Sequence, residues 1–166
     1  MLAKKAKTFL LALVIAAPAY VLPYPGLMPG HKLYPAKQVF DRIYRLWVFG
    51  NFAGYKYELG LTDKKLVEAK ILFEYQQYPL ALKALERSND YFQGAAAYLD
   101  RARAEGKNIS QKQVRLQAAA ERHKEVLLGL KEYLPEEFLW QPEKKEPVKL
   151  PISQSLGEAI KIRGFK

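Results

Sequence analysis

Apolar residues recur along this chain in four blocks at helical spacing, framed by two stretches rich in proline. Val39, Phe40, Ile43, Tyr44 and Trp47 share one face of a short helix predicted from Ala36 to Phe49, with Pro35 at its start and Gly50-Asn51 as its stop. A second helix is expected over 53–77, with Leu59, Leu66, Ala69, Leu72, Phe73 and Gln76 inward. Gly54, Gly60 and Thr62-Asp63 weaken its first half and allow a break near residue 60, with Thr62 capping a fresh start. The third helix, 79–105, carries the row Ala81, Leu85, Ser88, Phe92, Ala95, Leu99 and Ala102. After Gly106, a capping box formed by Ser110 and Gln113 opens the fourth, 110–134, with Val114, Ala118, Val126, Leu127, Leu130 and Leu134 inward.

Residues equidistant from a turn face each other in an antiparallel helix pair. About a turn at 107–108, Phe92 is thereby set against His123, Leu85 against Leu130, Leu99 against Leu116, Ala95 against Ala120 and Ala97 against Ala118. The alanine runs 95–97 and 118–120 meet at one level and invite close approach of these two backbones. About Tyr78, Leu72 faces Leu85 and Ala69 faces Ser88. The pattern predicts an all-α protein, an elongated antiparallel bundle of one short and three long helices over 36–134. The Pro-punctuated segment 135–166 is expected to be an irregular, largely disordered tail, apart from a helical turn or two near 156–162.

The N-terminus follows a different rule. Lys4, Lys5 and Lys7 precede an apolar run from Phe9 to Leu22, and a Pro/Gly connector, 23–35, follows. A basic start and a short apolar run mark residues 1–22 as a signal peptide or membrane anchor. The lysines orient it with the rest of the chain outside the cytoplasm. The run falls short of the roughly 20 residues of a comfortable span. Ala17-Pro18-Ala19 offers a small-x-small cleavage site, although its middle proline is unfavourable. An uncleaved anchor extended toward Leu27 stays open, and the protein is expected to be secreted or held to the membrane by this segment.

Charge changes the picture less than its size suggests. The net charge is +10, but residues 1–50 hold seven Lys/Arg against one acid, whereas 51–110 hold nine against eight. The long helices are therefore nearly balanced, as solvated faces are, and a concentrated phosphate-binding stripe is not evident; nucleic acid is not an expected partner. An anionic envelope polymer or lipid remains a fitting one, as does another envelope protein. With no cysteine, disulfides, lipoprotein anchors and thiolate metal sites are excluded.

Leu22-Pro23-Tyr24-Pro25 through Leu33-Tyr34-Pro35-Ala36-Lys37, the aromatics Phe40 and Trp47, and Leu66-Val67-Glu68-Ala69-Lys70 resemble the opening of domain of unknown function 5667. The likeness spans about 22–134, departs at Tyr55–Asp63, and implies a bacterial extracytoplasmic helical domain without an assigned activity or site residues. Ala69–Ala81 also looks like the middle of one tetratricopeptide repeat, a helical interaction hairpin, but no second copy is present.

Candidate chemistry is thin. His31 sits in the connector and His123 on a helix, without metal-ligand spacing to another residue, and His123 reads as a half-buried packing residue. Glu68, Glu74, Glu86 and Asp90 sit near Lys64, Lys70, Lys83 and Arg87 as pairs along a wet face. Tyrosines scatter over several faces. No catalytic, cofactor-binding or metal residue is assigned, and no enzyme activity is expected. The leading expectation is an exported or anchored helical protein acting in interaction or scaffolding. The alternative is an extracytoplasmic ligand- or polymer-binding module, sensory in character, using aromatic and basic surface near the first helix.

Overall fold

The computed structural model describes residues 20–164, apart from 25, 30 and 46 and the side chains of 38, 41, 42 and 44. The basic start and the Ala17-Pro18-Ala19 site lie outside the described residues. The described fold is helical: α1 (Tyr34–Arg45), α2 (Asn51–Glu74), α3 (Tyr78–Ala104), α4 (Ser110–Tyr133), a two-stranded antiparallel hairpin of β1 (Phe138–Trp140) and β2 (Val148–Leu150), then α5 (Ile152–Ile162).

The closest helix pair is α2 with α3, not α3 with α4 as the alanine runs suggest. The approach is made at Gly54, where a Cβ would stand 2.5 Å from the Tyr98 ring. Ala118 is exposed, so only Ala119 and Ala120 of its run reach the core. One expected pair meets directly and the members of three others are buried in a shared cluster. Leu85 and Leu130, Leu99 and Leu116, and Ala95 and Ala120 are all buried, and the Phe92 and His123 rings meet edge-on at 5.9 Å.

Two helix ends close in the same way. After α3, Gly106 takes φ 74°, its N–H donates to Arg103 O and that of Lys107 to Ala102 O. After α2, Gln76 takes φ 57° and the N–H groups of Gln76 and Gln77 donate to Phe73 O and Leu72 O. Both are Schellman closures, which use a left-handed residue to satisfy the last carbonyls. Gln76 is therefore an exposed cap, and its expected inward position is corrected.

Other expectations are corrected too. α2 runs unbroken through Gly60, because the Thr62 hydroxyl donates to Glu58 O one turn back instead of capping a new helix. The capping box of α4 does not form. Asn108 Oδ1 accepts from Ser110 N, and Gln113 Oε1 accepts from Arg103. Val114 is exposed on α4, whose buried stripe is Leu116, Ala119, Ala120, His123, Leu127 and Leu130.

The tail is ordered. The β hairpin sets the Phe138 ring 4.7 Å from that of Tyr78 and returns the chain so that α5 lies against α3 and α4. Ile152, Leu156 and Ala159 of α5 are fully buried, a stripe at spacings of four and three residues. Leu22 and Met28 pack against the core and Tyr20 against a second cluster, so part of the connector lies on the bundle.

The core has two apolar parts. One joins Leu66, Leu72 and Phe73 of α2 with Leu85, Leu127, Leu130, Ile152 and Leu156. The other joins Tyr55 and Leu59 with Phe92, Leu99, Leu116 and Ala120. Between them, at one level on every long helix, lie Thr62 and Asp63, Ser88, and His123, all buried.

Candidate functional site

That middle level is a closed polar layer. Asp63 Oδ1 lies 2.7 Å from His123 Nε2, and Asp63 Oδ2 accepts from the Tyr20 hydroxyl at 2.7 Å. On the other side of the imidazole, Arg163 Nε donates to His123 Nδ1 at 3.3 Å. Arg163 also donates to Asn89 Oδ1 at 2.6 Å, to Ala159 O at 2.9 Å and to Ser88 Oγ at 2.9 Å. Ser88 in turn donates to Thr62 O at 3.0 Å. The guanidinium carbon sits 5.3 Å from the Phe92 ring centre. Arg163 and His123 are wholly inaccessible to solvent.

The bonding fixes the chemistry. A guanidinium only donates, so Nδ1 of His123 is an acceptor and Nε2 carries the proton given to Asp63. Burial pushes the imidazole below its ordinary pKa, and Arg163 adds to the effect while the Asp63 bond opposes it. The ring is therefore neutral at pH 7. Burial brings Arg163 down to about 10, still cationic, with Asp63 opposing. A carboxylate and a guanidinium thus face each other across a neutral imidazole. Both ring nitrogens are occupied, and the Ser88 proton is committed to a backbone carbonyl. The arrangement fastens the lead segment, α2, α3, α4 and the residue after α5 at one point. Among the described residues, no buried side-chain polar atom lacks a partner.

A second polar cluster fastens α1. The Tyr34 hydroxyl donates to Glu68 Oε1 at 2.6 Å and accepts from Lys65 Nζ at 2.9 Å, while Lys65 donates to Glu68 Oε2 at 2.6 Å. Burial works against the Lys65 ammonium, but the bonds to Glu68 and Tyr34 outweigh it and hold its pKa above the ordinary value. Lys37 Nζ donates to Leu27 O. At the other end of α1, Arg45 pairs with buried Glu58 at 3.2 Å. Burial raises the Glu58 pKa and Arg45 partly offsets it. The Leu33-Tyr34-Pro35-Ala36-Lys37 box is thus the docking point of α1.

An open groove of about 700 Å³ runs between α2 and α4. Phe52, Tyr55 and Leu59 form its apolar part, and Lys56, Lys112 and Arg115 its cationic part, beside Tyr20 and Asp63. Lys112 stands 4.0 Å over the Phe52 ring and Arg115 6.0 Å from that of Tyr20. Burial raises the Tyr55 phenol to about 12, partly opposed by Arg115. A second groove, of about 530 Å³, shares Ala53, Lys56 and Gly60 and reaches Trp47.

No family model, curated protein or solved structure matches the chain. What can be argued about function thus comes from these residues. His31 is exposed in the connector, its Nδ1 accepting from Leu33 N, far from the polar layer's chemistry. His123 is buried outright instead of half-buried. Lys70 and Glu74 do pair on the surface, whereas Glu68 is buried with Lys65 and is not part of a wet face. Among the described residues, no three His, Asp or Glu side chains gather as a metal site.

Sequence reasoning missed Tyr20, Asp63 and Arg163. The signal for a polar layer was present in Ser88, a polar member of an apolar row, and in His123 at the level of Phe92.

Proposed function

We propose that the protein is an exported helical interaction or scaffolding module, delivered by residues 1–22 and acting outside the cytoplasm without catalysis. The observation that carries this reading is the polar layer: its titratable groups are spent on one another, and it joins both ends of the described chain into one rigid body. A binding surface held this way keeps its shape when loaded.

The length argument supports delivery. With Tyr20 in the bundle, the apolar run is confined to Phe9–Ala19, eleven residues. That suits the 7–15 residues of a signal-peptide core and is well short of the roughly 20 of a span. Among the described residues, no helix is long and apolar enough to cross a membrane. The test is an alkaline phosphatase fused after Lys166, with the mass of the exported chain read alongside. Phosphatase activity in intact cells and a chain starting at Tyr20 are expected. An inactive, cytoplasmic fusion sinks the reading.

The α2–α4 groove favours a second reading, an extracytoplasmic module for an anionic polymer. Lys112 and Arg115 stand over the Phe52 and Tyr20 rings, and an acidic glycan would meet charge and stacking surface together. Saturable binding of an acidic glycan, lost in Lys112→Glu with Arg115→Glu, would favour it over pure scaffolding.

A further inference from the structure

The first helix is mounted the wrong way round for a soluble bundle. Tyr34 and Arg45, eleven residues and so about three turns apart, share one face. Both are bonded to acids of α2, Glu68 and Glu58. The polar stripe is thereby turned inward. Val39, Phe40 and Ile43 lie on the opposite side, exposed by 53%, 71% and 49% of their surface. Trp47 and Phe49, just beyond the helix, extend this apolar surface at 75% and 78% exposure. Other exposed apolar side chains, such as Leu139 and Val148 of the hairpin, are less exposed than Phe40, Trp47 and Phe49.

We propose that α1 and the Trp47–Phe49 turn form an interfacial element that lies on an anionic lipid bilayer, apolar face down. Charge selects this occupant over an apolar protein partner. Residues 31–45 carry Lys32, Lys37, Arg42 and Arg45 against Asp41 alone, and Lys56 and Lys64 flank Trp47 across the adjoining groove. A basic helix with an exposed Phe/Trp face is the composition that settles in the headgroup region, burying about 5–10 Å deep. Arg45 is spent on Glu58, so the cations offered to anionic headgroups beside this face are the exposed Lys32, Lys56 and Lys64. The inference stands whether or not residues 1–19 are cleaved, so it does not share the fate of the export reading.

Trp47 and Trp140 are the only tryptophans, which gives a direct test. The full chain carrying Trp140→Phe is mixed with vesicles of phosphatidylcholine and phosphatidylglycerol, with and without brominated acyl chains. On vesicles, Trp47 emission should shift to the blue and lose most of its intensity to the bromines. Pure phosphatidylcholine or high salt should weaken this. Adding Phe40→Glu and Ile43→Glu, both at exposed positions, should return Trp47 to a water-like spectrum. A vesicle-bound chain with Trp47 still in water overturns the proposal while leaving N-terminal delivery intact. Quenching that survives the two glutamates also overturns it, because the α1 face would not be the cause. So does a blue shift that grows with protein concentration without lipid, which assigns the face to a second copy. Failure of the chain to float with anionic vesicles at all does the same.

Discussion

Replacing Arg163 with alanine removes the only cation of the polar layer. The loss is larger than four hydrogen bonds, because Asp63 is left as a buried carboxylate with its countercharge gone and His123 Nδ1 without a donor. Leaving a buried charge without its countercharge costs about 3–5 kcal/mol when the two are in contact, and the intervening imidazole places this case toward the lower end. Total stability of a domain is about 5–15 kcal/mol, so the variant should keep only a small reserve. With a urea slope of about 2 kcal/mol/M, the unfolding midpoint followed by circular dichroism should fall by about 1.5 M. The companion test is Arg163→Met with Asp63→Asn. Removing both charges leaves neither uncompensated, so the double variant should be more stable than the two single losses added together, by about 1–3 kcal/mol. A midpoint for Arg163→Ala within about 0.5 M of wild type would refute the layer as a structural clasp. Strict additivity in the cycle would refute the charge argument while leaving a packing role.

The remaining tests concern pH, glycine positions and the tail. The His123 pKa is lowered on folding, so below about pH 6.5 the unfolded chain binds a proton that the folded chain refuses. Stability should therefore fall as pH drops from about 6.5 toward the lower folded value, by up to about 1.4 kcal/mol per unit, and His123→Gln should flatten that slope in urea titrations between pH 7 and 5. Gly54→Ala should lower the melting temperature through its clash with Tyr98, at about 1–3 kcal/mol, whereas Gly60→Ala, with open space at its Cβ, should gain about 0.5–1 kcal/mol. Gln76→Gly should gain about 1 kcal/mol by relieving a left-handed non-glycine cap, measured in the same melts. A chain ending at Leu134 should lose cooperative unfolding, since Ile152 and Leu156 each contribute about 1.5–3 kcal/mol of burial.

The long helices were legible because their burial follows a single rule. The whole row proposed for α3, from Ala81 to Ala102, is buried, and the mirror arithmetic about residues 107–108 placed Phe92 on His123. Failures came where residues obey a second rule. On α1 periodicity picks out an apolar stripe without fixing which way it turns, and Tyr34 and Arg45 are drawn to buried acids that periodicity does not register. Asp63 read as a helix weakener because its value depends on partners sixty and a hundred residues away. The proline-rich stretch hid α5, although Ile152, Leu156, Ala159 and Arg163 recur at spacings of four, three and four. Proline frequency there reflects a hairpin and a helix start, Pro151 preceding Ile152, more than disorder.

The placement of the polar layer also explains why a balanced bundle tolerates buried charge. Two apolar clusters alone would let α2 slide against α3 and α4 by a helical turn with little loss of contact, since leucine and alanine recur along each stripe. A turn's slip moves Asp63 away from His123 and strands a carboxylate in an apolar layer, at a cost of several kcal/mol. The layer therefore fixes register in the way a single buried polar residue fixes a coiled coil. Its members also reach both ends of the described fold, since Arg163 follows the final described helix and Tyr20 precedes the first.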